Sequence, residues 1–229
     1  VSDLTIDASN AGVILDGSSG PGDWLAGLQI VSSDGNRIQG LQVSNFSGPG
    51  IAISGDAQFN VIGGNRGVGS GPFGQGNLLS HNAIGVDLST AGTTCNAVTG
   101  NLIGTDSTGE AALGNNRSGV WISEGATGNT VGPDNVIAYN GGSGVYLQAA
   151  DSLRNTITQN SIHDNGGRGI VLQGGANGGR ATPAIIEFDL AAGSVAGVTC
   201  PNCAVEIFSD SDDEGAIFEG EVVAGRGGS

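Results

Sequence analysis

One short phrase, a glycine followed by apolar–any–apolar, recurs six times along this chain. It reads GLQI at residue 27, GIAI at 50, GVDL at 85, GVWI at 119, GVYL at 144 and GIVL at 169, in steps of 23, 35, 34, 25 and 25. Two more apolar phrases lie between successive copies. The first is NRIQG at 36, NVIGG at 60, NAVTG at 96, NTVGP at 129 and NTITQ at 155. The second is GLQVSN at 40, NLLSHN at 77, NLIGTD at 101, NVIAYN at 135 and NSIHDN at 160. Strands this short cannot bury a face alone, so each copy must stack on its neighbours. Alternation within GVYL turns Val145 and Leu147 inward and Tyr146 outward. No window carries the helical period of roughly 3.6 residues, and helix is excluded.

Every repeat travels the same circuit, so successive copies run parallel. The expected fold is all-β: a coil of three parallel sheets, about six to eight turns long, around an apolar lumen. The 44 glycines read as recurrent tight turns, because glycine alone enters positive φ at little cost. Asparagines at matching corners are expected to bond one another along the axis, about 4.8 Å apart. Asn45, Asn82, Asn140 and Asn165 make one expected ladder; Asn60, Asn96, Asn129 and Asn155 make another. The two long steps come from insertions, GNRGVGSGPFGQG (64–76) and TDSTGEAALGNNR (105–117). Loops grafted onto a regular scaffold are where function usually sits.

Taken together, residues 1–178 resemble the right-handed parallel β-helix superfamily of pectate-lyase-like proteins. NLIGTDSTGEAALGNNRSGVWISEGATGNTVG is similar to repeats of large bacterial secreted and cell-surface proteins, and SDLTIDASNAGVILDG to their first ordered coils. The resemblance implies the fold and an extracellular or cell-surface location. It leaves activity open, because the superfamily holds lyases, hydrolases, epimerases and modules of no known activity. Its enzymes also imply marks that are missing here. The Asn-Thr-Asp, Gly-His-Gly and Arg-Ile-Lys of polygalacturonases are absent, as is the Asp-Pro-His of alginate epimerases. Lyases of the superfamily set a basic residue over a calcium-binding carboxylate cluster. With seven basic residues in all, abstraction of a proton beside a uronate carboxylate would lack its electrostatic support.

Beyond the repeats the character changes. From Arg180 the coil phrases stop, and residues 179–229 alternate as short antiparallel strands. By resemblance this tail is the start of a small β-sandwich; by physical need it is a cap, since a bare coil end is an exposed edge. Within it, Cys200-Pro-Asn-Cys203 sets two cysteines across a turn, with a small disulfide loop and a pair of free thiols as the alternatives and Cys95 left over.

The net charge of −15 excludes nucleic acid and anionic membrane surfaces as partners, because both require clustered Lys and Arg. No apolar run reaches the roughly 18 residues of a spanning helix, so membrane insertion is not expected. Val1 enters directly into strand-like sequence, as in an excised or processed fragment. A monomer is expected.

Candidate site residues follow from the stacking. The outward column of the recurring phrase is Gln29, Ala52, Asp87, Trp121, Tyr146 and Val171. Asp87, Trp121 and Tyr146 would project side by side as a sugar-stacking platform, with Ser89, Ser123 and Gln148 supplying hydrogen bonds. In pectate-lyase-like enzymes this face is where polysaccharide usually lies. Alternatively, the 105–117 insertion folds over Trp121, and Trp24 and Trp121 are buried loop anchors. Were the chain an enzyme, Asp87, His163, Asp164 and Arg168 are its candidate acid–base residues, with His81 in a similar setting on an earlier coil. The bland alternative for the last three is polar corner packing.

One acidic stretch, DSDDEGAIFEGE (210–221), places Asp210, Asp212, Glu214, Gly215 and Glu221 at loop positions that bind Ca²⁺ in EF-hands. The flanking AVEIF and EVV read as strands, however, so an acidic hairpin loop competes with this reading. Ca²⁺ is the sole cofactor candidate. The expected function is a non-catalytic extracellular module of a larger surface protein that binds polysaccharide. The alternatives are a polysaccharide lyase or glycoside hydrolase with a non-standard site, and a purely structural stalk or adhesin spacer.

Overall fold

The computed structural model of the chain describes residues 1–229 except Pro21, Leu190, Asp212, Asp213 and Ser229. Its 18 coil strands fall into three parallel sheets of six, one strand per sheet per coil. The first sheet holds β1 (Thr5–Asp7), β4 (Arg37–Gln39), β7 (Val61–Gly63), β10 (Ala97–Thr99), β13 (Thr130–Val131) and β16 (Thr156–Ile157). The second holds β2 (Val13–Asp16), β5 (Leu41–Ser44), β8 (Leu78–Ser80), β11 (Leu102–Ile103), β14 (Val136–Ala138) and β17 (Ser161–His163). The third carries the recurring phrase: β3 (Leu28–Val31), β6 (Pro49–Ser54), β9 (Ile84–Leu88), β12 (Val120–Ile122), β15 (Val145–Gln148) and β18 (Ile170–Gln173). Six coils therefore stack along one axis.

Side-chain alternation delivers one face of each strand to the lumen. Ile53, Leu88, Ile122 and Leu147 line up on successive rungs of the third sheet, all fully buried. Ile62, Val98, Val131, Leu79, Ile103 and Ile137 close the lumen from the other two sheets.

Three asparagine ladders run along the corners. One joins Asn36, Asn60, Asn96, Asn129 and Asn155 and ends on Asn177. Asn96 shows how each buried amide is satisfied: its Nδ2 donates to Asn129 Oδ1 (2.9 Å) and to the Ala57 carbonyl (3.0 Å). Its Oδ1 accepts from the backbone and side-chain N–H groups of Asn60, both at 2.9 Å. The other expected ladder is corrected at two rungs. It runs Asn82, Asn115, Asn140, Asn165, with Asn115 drawn from inside the 105–117 insertion. Asn45 is not in it. The rung below Asn82 is Phe46, whose N–H donates to Asn82 Oδ1, while Asn45 sits at φ 65° and bonds Asp16. A third ladder, Asn77, Asn101, Asn135 and Asn160, was not foreseen.

The glycines that open the recurring phrase have a different reason from the one expected. None of Gly85, Gly119 and Gly144 has positive φ. A Cβ on Gly144 would instead lie 2.4 Å from Ile162 Cγ2, and one on Gly119 2.4 Å from Ile137 Cγ2. The lumen-facing isoleucine of a second-sheet strand fills the space a Cβ would need.

The 64–76 insertion lies flat over the second sheet. Phe73 is buried there with Leu78 and Leu102, against Val136. At one end Ser70 and Gly71 bond Asn10 and the Ser9 carbonyl; at the other Arg66 donates to the Asp134 carbonyl. The tail forms two separate hairpins, β19 (Ala184–Asp189) with β20 (Ser194–Val198) and β21 (Ala204–Ser209) with β22 (Ile217–Val223). Its two hairpins lie in separate two-stranded sheets. The second hairpin meets the last coil: Ile162 N–H donates to the Gly215 carbonyl, and Glu206 accepts from Thr158 and from Gln159 N–H. Cys200 and Cys203 form the disulfide, Cα atoms 5.5 Å apart, and Cys95 is free and exposed.

Candidate functional site

The third sheet sets its outward residues in the expected column. Gln29 pairs with Ala52, Ala52 with Asp87, Asp87 with Trp121, Trp121 with Tyr146 and Tyr146 with Val171. Parallel register without a slip is what makes one residue per coil meet its counterpart. The Trp121 and Tyr146 rings touch edge-to-face, centroids 5.0 Å apart at 66°. Beside Trp121 opens a hollow of about 320 Å³ lined by Trp24, Asp87, Ser89, Arg117, Trp121, Ser123, Glu124 and Gln148 among others.

Asp87 is half-buried in this hollow, and its carboxylate accepts from Ser89 Oγ at 2.9 Å. Removal from water raises its pKa to about 6; the Ser89 hydroxyl pulls it down and the negative charge of Glu124 pushes it up. Across the hollow, the Arg117 guanidinium lies over the Trp24 ring, 5.2 Å from the centroid, a cation–π contact at a partly exposed rim.

The covering-loop alternative is not what the fold does. The 105–117 insertion hangs beside the second sheet, where Glu110 accepts the Tyr139 hydroxyl and Leu113 bonds Gly104. Only its last residue, Arg117, reaches the hollow. Trp24 is 57% exposed and is not a buried anchor.

A family model described as the right-handed β-helix region matches residues 1–178. The chain belongs to the right-handed β-helix family. No curated protein matches it.

The other candidate residues lie elsewhere on this β-helix. His163 and Asp164 are together, Nδ1 to Oδ2 2.8 Å, at the end of β17. The Tyr139 ring meets His163 edge-on at 5.8 Å. Arg168 is exposed before β18, and its carbonyl accepts from Gly144 N–H. Asp87, on the third sheet, is not part of that group, so the four candidate acid–base residues are not gathered in one place. His81 is exposed at a corner with φ 55°.

The acidic loop is also spread out. Asp210 accepts the Gly215 N–H, which folds the loop back on itself. Glu214 turns toward the coils and accepts from Asn165, and Glu221 lies within β22 opposite Glu206. Asp212 lies outside the described residues. Among the described residues no group of three or more His, Cys, Asp or Glu converges as metal ligands. Among them, too, no helix is long and apolar enough to cross a membrane.

Sequence reasoning found Asp87, Trp121, Gln148 and the two serines but not Glu124, Arg117 or the exposed placement of Trp24. Glu124 had a signal: it stands one position past the Ser89–Ser123–Gln148 column, level with Thr90 and Ala149. Trp24 and Arg117 come from segments outside the repeat, where no alignment could place them.

Proposed function

We propose that this β-helix is a non-catalytic extracellular module that binds polysaccharide along the third sheet. The observation that carries this reading is the unbroken Asp87–Trp121–Tyr146 column beside an open, polar-lined hollow. Aromatic faces supply apolar area for the ring carbons of a sugar, and Ser89, Ser123 and Gln148 supply partners for its hydroxyls. The column runs along the coil axis at about 4.8 Å per rung, so an extended glycan lying parallel to the axis meets equivalent positions in turn. The chain acts as one rigid, monomeric segment of a larger surface protein. The test is retention of wild type, Trp121→Ala and Tyr146→Ala on a glycan array, with thermal melts alongside. Both variants are expected to lose retention while melting close to wild type. A wild type that no glycan retains removes the binding role.

A second reading, a hydrolase or lyase with a non-standard site, draws on one feature only: Asp87 with its pKa near 6 beside Glu124. A carboxyl group raised in pKa by burial, with a second carboxyl group beside it, is a pattern of acid–base catalysis. New reducing ends or unsaturated products from acidic or neutral polymers would support it, and their loss in Asp87→Asn would assign the site.

A further inference from the structure

We propose that the hollow beside Trp121 selects glycans whose sugars carry a free amine, in preference to uronates and to neutral or N-acetylated sugars. This rests on the glycan-binding reading above and narrows it. Two carboxyl groups, Asp87 on β9 and Glu124 in the turn after β12, line the hollow from neighbouring coils, with the Trp121 ring in register beside Asp87. Among the described residues no ion pair joins either group to a cation. Arg117 also lines the hollow, but its guanidinium is laid over the Trp24 ring rather than against a carboxylate.

The balance of charge at the site is therefore two acids to one engaged cation, on a chain of net charge −15. Burial first, and Glu124 second among the groups that raise it, disfavour the charged form of Asp87. A ligand that brings positive charge relieves both effects; a uronate adds to them. A sugar ammonium in this hollow accepts nothing and donates in three directions, which suits two carboxylates and two serine hydroxyls. The same charge over the Trp121 face gains from the ring quadrupole. Uncharged sugars keep the stacking but leave the acids unpaired. The chain's overall negative field also steers cationic polymers toward it.

The experiment is calorimetric titration at neutral pH with four oligosaccharides of equal length: a chitosan oligomer, its N-acetylated counterpart, a cello-oligosaccharide and an oligogalacturonate. Spermine serves as a competitor. The chitosan oligomer is expected to bind at least roughly tenfold tighter than the other three, a margin that shrinks as salt rises. Asp87→Asn and Glu124→Gln are each expected to narrow that margin. If Asp87→Asn does not fold, Glu124→Gln and the salt series carry the same test. A margin within about twofold of the neutral oligomer, or tighter binding of the galacturonate, overturns amine selection and leaves the glycan reading standing. Displacement of the chitosan oligomer by equimolar spermine overturns the sugar part and marks a general cation site. Silence toward all four oligosaccharides removes the glycan reading itself, and amine selection with it.

Discussion

The Glu214 carboxylate stands where the next ladder asparagine would be: its Oε2 accepts both the backbone N–H of Asn165 (3.0 Å) and that residue's side-chain amide (3.2 Å). A hairpin tip thus ends the ladder that begins at Asn82. The asparagine below donates in the same way to Asn165 Oδ1, so the acid mimics a rung without being one. Glu214→Ala is expected to destabilise the fold by about 1–3 kcal/mol, the penalty for leaving such donors without a partner. Glu214→Gln keeps an acceptor oxygen and should lose less. Urea denaturation of the two variants measures the difference, and hydrogen exchange at Asn165 shows whether the loss is local.

Interior rungs should matter more than terminal ones. Asn96→Ala removes four hydrogen bonds and strands the Asn60 amide, all in buried surroundings. Asn177→Ala removes two bonds, both to the Asn155 backbone. A cost of roughly 3 kcal/mol or more is expected for Asn96→Ala and about 1 kcal/mol for Asn177→Ala. Equal costs in chemical denaturation would refute a ladder held by its amides.

Gly144→Ala tests the close approach of neighbouring strands. The added methyl would lie 2.4 Å from Ile162 Cγ2 and 2.7 Å from the Gly169 carbonyl oxygen. Overpacking of that kind typically costs about 1–3 kcal/mol. Removing the obstacle in Gly144→Ala/Ile162→Ala is expected to cost less than the sum of the two single substitutions, and a double-mutant cycle reads the coupling.

Asp87 gives the protein a pH dependence of opposite sign to that of most carboxylates. Its folded pKa, about 6, lies above the ordinary 3.8, so the folded state binds the proton more tightly than the unfolded one. The site's effect on stability is neutral below about pH 4. It turns unfavourable as pH rises to about 6, reaching at most about 3 kcal/mol above that. Asp87→Asn should therefore be more stable than wild type at pH 8 and match it near pH 4. Parallel melts across that window decide it; an unchanged difference at both ends refutes the shift.

The repeat made the lumen and the third-sheet column legible because an identical phrase at each copy forces an identical register. Trp121 could be set beside Asp87 and Tyr146 by counting alone. Asparagines were harder, because two adjacent corner positions look alike in the sequence. Asn45 and Asn82 close the same phrase, GLQVSN and NLLSHN, yet only the second reaches the ladder; Phe46 follows Asn45 and takes the rung. Asn115 escaped because an insertion supplies a residue that the repeat omits. Arg117 and Trp24 reach the hollow by loop conformation, which no periodicity encodes.

Solenoids commonly unravel a coil at a time, since each layer knows only the next. The segment 64–76 departs from that rule: leaving the third coil, it reaches Ser9 and Asn10 in the first and Asp134 at the fifth. Peeling away the opening layer must therefore break a strap rooted deep in the stack. A zipper bound across its teeth in this way parts as one unit or not at all.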